Sequence, residues 1–196
     1  MSVPAVLPPV TKPDLGLSFG DGPIDLATRA LVVAVVPPPR WGREAEVLAG
    51  VRQAAEAGAD VVEAPAEPRL LGPAASAGIV PVVARVTTAE GARAAWAAGA
   101  RLLLVPAPQA SAVLDDPAAP EWQIATLVTD ARSGRAEVAD HPDRPVALDV
   151  TALPPIDGVS EASLALAVGV RLVRTGDLRR TRRVVEVMAH LLEARR

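Results

Sequence analysis

Three times the chain repeats one short phrase. It reads Ala-Gly-Ala-Asp-Val-Val at 57–62, Ala-Gly-Ala-Arg-Leu-Leu at 98–103 and Val-Gly-Val-Arg-Leu-Val at 168–173. Each copy follows an alanine-rich run of helical period. Each glycine (Gly58, Gly99, Gly169) stands where a helix ends in a left-handed cap. Each is followed by a short β-branched or leucine run of the kind that forms a buried parallel strand. The phrase is therefore a helix-to-strand joint, and its recurrence demands an α/β architecture. In such folds ligands gather at the carboxyl ends of the strands, so the residues after each strand become the ones to inspect.

Strands are expected at 31–36, 61–64, 79–84, 102–105, 124–128, 145–150 and 171–174. Helices are expected at about 43–57, 88–98, 160–168 and 178–193. The Thr87-Thr88-Ala89-Glu90 stretch reads as a capping box with Thr87 as the cap. Segments 69–77 and 109–116 read as weak helix, and 129–144 as polar loop with a helical turn at most. In the last helix Leu178, Thr181, Val185, Met188 and Leu192 form the buried stripe. Residues 1–28, rich in Pro, Gly and Asp, read as an irregular N-terminal arm preceding a single barrel domain at 29–196.

Strands alternating with helices imply parallel strands with right-handed crossovers. The fold class is α/β, a (β/α)8-type barrel that is incomplete, with about seven parallel strands. A full barrel usually takes about 250 residues, and this chain has 196. An open doubly wound sheet is the competing architecture. Loss of one βα unit would leave exposed barrel edges, which predicts a homodimer or cover by the arm.

Composition excludes several functions. The chain has no cysteine, one Phe, no Tyr and three Trp. Disulfides, thiolate zinc sites and cysteine nucleophiles are ruled out, and aromatic platforms for stacking a base or a sugar are scarce. The net charge of −3 and a single lysine, Lys12, argue against nucleic-acid binding. No apolar run reaches the ~18 residues of a membrane span, and no charged-then-apolar leader opens the sequence. A cytoplasmic protein with no membrane partner is the expectation. His141, in a loop, and His190, on the last helix, read as surface residues. No phosphate-loop, dinucleotide or nucleophile-elbow motif is present.

The strand ends are more informative. After the first expected strand stand Pro37, Pro38, Pro39, Arg40 and Trp41; after the second, Glu63, Pro65, Glu67 and Arg69; after the third, Arg85. The fourth ends in Leu104, Val105 and Pro106, the sixth in Asp149, and the last in Arg174, Thr175, Gly176 and Asp177 at a helix start. An arginine beside a helix N-terminus fits an anion; a salt bridge between Arg174 and Asp177 with a helix cap fits equally well.

These residues carry a resemblance. The stretch 30–68, with Ala34-Val35-Val36-Pro37-Pro38-Pro39-Arg40-Trp41 and Ala57-Gly58-Ala59-Asp60-Val61-Val62-Glu63, resembles the first two βα units of dihydropteroate synthase, a pterin-binding TIM barrel. The stretch 81–100 resembles its third strand and helix. Val170 to Asp177 resembles its closing Arg-Val-His-Asp strand end.

The resemblance implies a barrel, a pterin and p-aminobenzoate as ligands, and Mg2+ for a transferase. The departures are equally specific. The family's metal-binding Asn falls near Val36 and Pro37. Its pterin-binding Asp falls on Arg85, and its Asn and Asp after strand four fall on Leu104 and Val105. Its pterin-holding Lys has no counterpart, and its closing His becomes Gly176. About 25 residues between Asp149 and Arg174 leave room for one βα unit fewer than the family has.

The ligand-binding candidates that remain are Glu67, Arg85, Asp149, Arg174 and Asp177. No metal ligands or cofactor are expected, except Mg2+ if the chain is a transferase. Three readings stand. The first is a non-catalytic relative with a structural or regulatory role, as a homodimer or bound to an active synthase. The second is an active transferase joining a pterin pyrophosphate to p-aminobenzoate, with Asp149, Glu67 and Arg174 as pterin anchor, orienter and phosphate clamp. The third is a barrel binding another small anion through Arg85 and Arg174.

Overall fold

The computed structural model describes residues 16–19, 23–26, 29–39 and 43–194. Seven parallel strands run in unbroken sequence order and close on themselves: β3 (Leu31–Val35), β4 (Val61–Glu63), β5 (Val82–Arg85), β6 (Leu102–Pro106), β7 (Ile124–Val128), β8 (Val146–Asp149) and β9 (Leu172–Thr175). The seam pairs β3 with β9 through Leu31–Leu172 and Ala34–Thr175. Closure excludes the open doubly wound sheet. It also removes the exposed edges expected of a barrel short of one unit, so the argument for a homodimer from such edges falls away.

Alternation along the strands divides the apolar residues into an interior and a jacket. Leu31, Val33, Val61, Val83, Leu104, Ala125, Leu127, Ala147 and Leu172 form one buried cluster, the barrel interior. Their neighbours, such as Val32, Val62, Leu103 and Val173, pack outward against the helices. The helices are α1 (Glu44–Glu56), α2 (Pro68–Ser76), α3 (Ala89–Ala97), α4 (Ala110–Leu114), α5 (Ala131–Asp140), α6 (Pro155–Ala167) and α7 (Leu178–Glu193). Among the described residues, no helix is long and apolar enough to cross a membrane.

The lead-in is more ordered than its composition predicts. β1 (Gly16–Ser18) and β2 (Pro23–Asp25) form an antiparallel pair. Leu17 and Leu26 bury completely against the interior cluster, with Phe19 and Ile24 packed beside them. The apolar residues hidden among Pro, Gly and Asp thus plug the end of the barrel where the strands begin. The rest of the expected arm, including Lys12, and the Arg40-Trp41-Gly42 loop lie outside the described residues.

The three repeated glycines hold the predicted left-handed caps, with φ of 90° at Gly58, 97° at Gly99 and 108° at Gly169. Other local expectations shift. The cap of α3 is Thr88, whose side chain accepts from the Gly91 amide at 3.1 Å, not Thr87. β5 begins at Val82 rather than Ile79, which is exposed. α2 is a full helix despite Pro73, because Pro68 presets its first turn and Leu70, Leu71 and Ala74 bury against the core. α6 starts at Pro155 rather than Ser160, again with a proline in its first turn.

The largest departure is α5, a ten-residue helix where loop was expected. Asp130 caps it by accepting from the Ser133 amide at 2.8 Å. Its packing face is Ala131, Gly134 and Val138: Ala131 and Val138 pack partly buried against the core, and an added Cβ at Gly134 would lie 2.9 Å from Val170. With one alanine, one glycine and one valine on that face, the apolar period is weak against the polar residues around it.

Candidate functional site

Period-two alternation carries the interior faces of the strands upward to their carboxyl ends. Above Val61 comes Glu63, above Val83 comes Arg85, above Ala147 comes Asp149, and above Leu172 comes Arg174. Four charged side chains therefore rim an otherwise apolar interior.

Arg174 organises three of these positions. Its Nε and Nη2 grip the Glu63 carboxylate side-on, Nε to Oε2 and Nη2 to Oε1, the latter at 2.8 Å. Its Nη1 donates to Asp149 Oδ2 at 2.8 Å and to Thr151 Oγ1 at 2.9 Å. Four of the five N–H donors of a guanidinium are thereby used. Thr151 in turn donates to Asp149 Oδ1 from its hydroxyl at 2.7 Å and its amide at 3.0 Å. Glu63 and Arg174 are buried, and Asp149 is half-buried.

Burial works against the charges of Arg174 and Asp149, and the contacts outweigh it. Glu63 and then Asp149 hold Arg174 above the usual arginine range. The hydrogen bonds from Thr151 and the charge of Arg174 hold the Asp149 carboxyl below the usual aspartate range. The cluster carries two carboxylates and one guanidinium, a net single negative charge.

The other sequence candidates lie elsewhere. Arg85 is exposed at the same rim, and no described residue pairs with it. Glu67 is on the surface, bound to Arg69 at 3.0 Å. Asp177 caps α7 by accepting from the Arg180 amide at 3.2 Å, and its ion pair is with Arg180, not Arg174. A cleft of about 160 Å³, lined by Thr151, Thr175, Gly176, Asp177, Arg180 and Thr181 among others, opens between the starts of α6 and α7. His141 and His190 are exposed. The sequence also offers Glu63 or Glu67 as an ion-pair partner for Arg85, and neither takes that role: Glu63 binds Arg174 and Glu67 binds Arg69. Thr151 is not among the sequence candidates. The signal for Glu63 and Thr151 was positional: Glu63 shares the inward parity of Val61, and Thr151 lies two residues past Asp149, at the spacing of a local side-chain turn.

At the positions where the resemblance places family ligands, the side chains are apolar or reversed in charge. Leu104 is fully buried in the interior cluster, and Val105 packs outward against the helices. Val36 is buried and Pro37 exposed at the end of β3, and neither offers a side-chain oxygen. These residues do not fit a divalent cation. Among the described residues no three His, Asp or Glu side chains gather as a metal set.

Known structures share this fold. The 7,8-dihydropteroate synthase of Vibrio fischeri ES114 superposes with a TM-score of 0.70 at 11% identity, over 91% of this chain and 98% of that one. The Yersinia pestis dihydropteroate synthase gives 0.69 at 13% identity, over 92% and 100%. The Xanthomonas albilineans dihydropteroate synthase with 4-aminobenzoic acid gives 0.65 at 17%, over 91% and 98%. No family model matches the sequence, and no curated protein matches it. The resemblance read from the strand ends therefore holds for the fold: a shortened barrel of the dihydropteroate synthase type.

Proposed function

We propose that this chain is a dihydropteroate synthase-like barrel without transferase activity, serving as a structural or regulatory partner. The occupancy of Arg174 carries this reading. A pyrophosphate clamp needs a guanidinium with donors to spare, and this one spends four on Glu63, Asp149 and Thr151. Asp149, the position matching a pterin-contacting Asp, offers both oxygens to the same cluster. A pterin's donor edge would meet the cation of Arg85 and the apolar Leu104. Each unpaired group costs about 1–3 kcal/mol, and two or three such losses remove micromolar affinity.

The test is turnover of a pterin pyrophosphate with p-aminobenzoate and Mg2+. The expected result is no dihydropteroate above background. Product formation that Arg174→Ala abolishes would establish the transferase instead. Arg85, exposed and without a partner among the described residues, favours a second reading, a weak site for a small anion at the rim, in which Arg85→Ala removes the binding.

A partner role needs a contact surface. Ile156 and Leu164 of α6 are 80% and 58% exposed, and Val187 and Leu191 of α7 are 58% and 54% exposed. The two helices pack side by side, so these four large apolar residues belong to neighbouring outward faces, an arrangement typical of contact sites. A second copy of the chain could cover them, replacing the edge pairing that barrel closure rules out. Light scattering would then give twice 20.2 kDa, and Ile156→Glu with Leu191→Glu would return the monomer. A monomeric wild type would refute the self-contact.

A further inference from the structure

We infer that α7 is a detachable strap over the seam of the barrel, fastened to Asp60 by Arg182, and that it undocks as a unit while the seven strands stay closed. The inference stands independently of whether the chain is catalytic.

α7 is the longest helix, yet it is lightly embedded. Of its sixteen residues Thr181 and Val185 are buried, and Leu178, Val184 and Met188 pack partly buried against the core. The thirteen residues of α6 bury Gly158, Ala162, Ala165 and Leu166. α7 lies along α6 and across β3 and β9, the two strands that close the barrel. Few apolar contacts therefore hold the element that covers the seam.

Polar bonds supply the rest. Asp177 caps α7, and Thr181 Oγ1 donates to Thr175 Oγ1 at 2.9 Å, which joins the helix to the strand it follows. On the other side α1 packs only weakly against α7. The tie there is Arg182, whose Nη2 donates to Asp60 Oδ2 at 2.9 Å and to the Gly58 carbonyl. Asp60 is the fourth residue of the first glycine joint, where the other two joints carry Arg101 and Arg171. Its Oδ2 also accepts from the Val32 amide at 2.8 Å, and its Oδ1 binds Arg29. One carboxylate thus joins the strap to the start of β3 and to the turn between α1 and β4.

The fastening is separable from the barrel. Loss of Arg182 leaves Asp60 with Arg29 and the Val32 amide, so no buried charge is orphaned. The strands keep their ladder across the seam and the ties of Arg174 to Glu63 and Asp149. Opening of α7 without opening of the barrel is the behaviour of a sub-global unit. Val187 and Leu191 ride on the outer face of this strap. A partner gripping that face acts on an element with two states, docked and undocked.

Native-state hydrogen exchange of the full chain, read by mass spectrometry at pH 7 over a series of low urea concentrations, tests this. In the wild type the α7 peptides should exchange before those of β3, β4 and β9 and with a shallower urea dependence, because their opening exposes less surface. Arg182→Leu should speed exchange of α7 at least about tenfold, the worth of a charge-assisted hydrogen bond, and leave the strands at wild-type values. Arg29→Leu removes a charge from the same carboxylate but no bond to α7, and should leave α7 unchanged. Wild-type α7 exchanging together with the strands overturns the inference. So does Arg182→Leu that leaves α7 unchanged or loosens every element alike, and so does Arg29→Leu that loosens α7 as much. Should Arg182→Leu fail to fold, the wild-type urea series decides by itself.

Discussion

Glu63 and Arg174 lie 111 positions apart in sequence and form a two-point ion pair across the seam that closes the barrel. Glu63 ends the second barrel strand and Arg174 belongs to the last, with β3 between them. Arg174 also holds Asp149 on the adjoining strand β8. One side chain therefore ties β8, β9 and β4 together over the junction of the first and last strands.

Removing the guanidinium should be costly because two carboxylates would remain without a counter-charge. Arg174→Leu is expected to destabilise the fold by about 3–5 kcal/mol, read from the midpoint of urea unfolding. Adding Glu63→Leu should recover part of that loss, since the buried charge goes with it. A single variant as stable as the wild type would mean that the pair contributes nothing to closure.

Acid should weaken the same cluster. The Asp149 carboxyl sits below the usual aspartate range in the folded chain, held there by Thr151 and Arg174 against burial. A lowered folded value stabilises above the unfolded pKa of about 3.9 and is lost as pH falls through the folded value. The stability gap between wild type and Asp149→Asn should therefore be constant at neutral pH and shrink below about pH 4. Urea unfolding at a series of pH values checks this; a gap that stays level down to pH 3 contradicts it.

Much of the frame was readable in the chain. The glycine joints gave the caps at Gly58, Gly99 and Gly169, and the β-branched runs gave all seven barrel strands to within a few residues. What stayed hidden was either interface or closure. α5 packs through Ala131, Gly134 and Val138, a row whose small residues make its hydrophobic period faint in a polar segment. α6 opens on Pro154-Pro155, which reads as a break until Pro155 is seen in the first turn. The site shows the same division. Arg174 and Asp149 were identifiable as strand ends, but the choice of Glu63 rather than Asp177 as partner depends on β9 coming round to β3. That contact is non-local, and a barrel one unit short could equally have stayed open.

The joints themselves can be ranked. Gly58→Ala and Gly169→Ala both force an alanine into left-handed backbone, at about 1–2 kcal/mol. A Cβ at Gly58 meets only Arg182 Nε at 4.0 Å, whereas at Gly169 it lies 3.1 Å from Val138 Cγ1. Gly169→Ala should be the more destabilising of the two, and thermal melts of the pair measure the order. Equal losses would show that α5 gives way freely to the added methyl.

The central claim is that Arg174 and Asp149, at the mouth of this barrel, are engaged by Glu63, Thr151 and each other and are not available to a pterin pyrophosphate. Calorimetric titration of a pterin pyrophosphate into the wild type, with Mg2+ present, tests it most directly. The account predicts no saturable heat up to about 1 mM, the limit of weak binding. Saturable micromolar binding that disappears in Arg174→Leu would contradict it, because Arg174 would then be serving a ligand rather than Glu63 and Asp149.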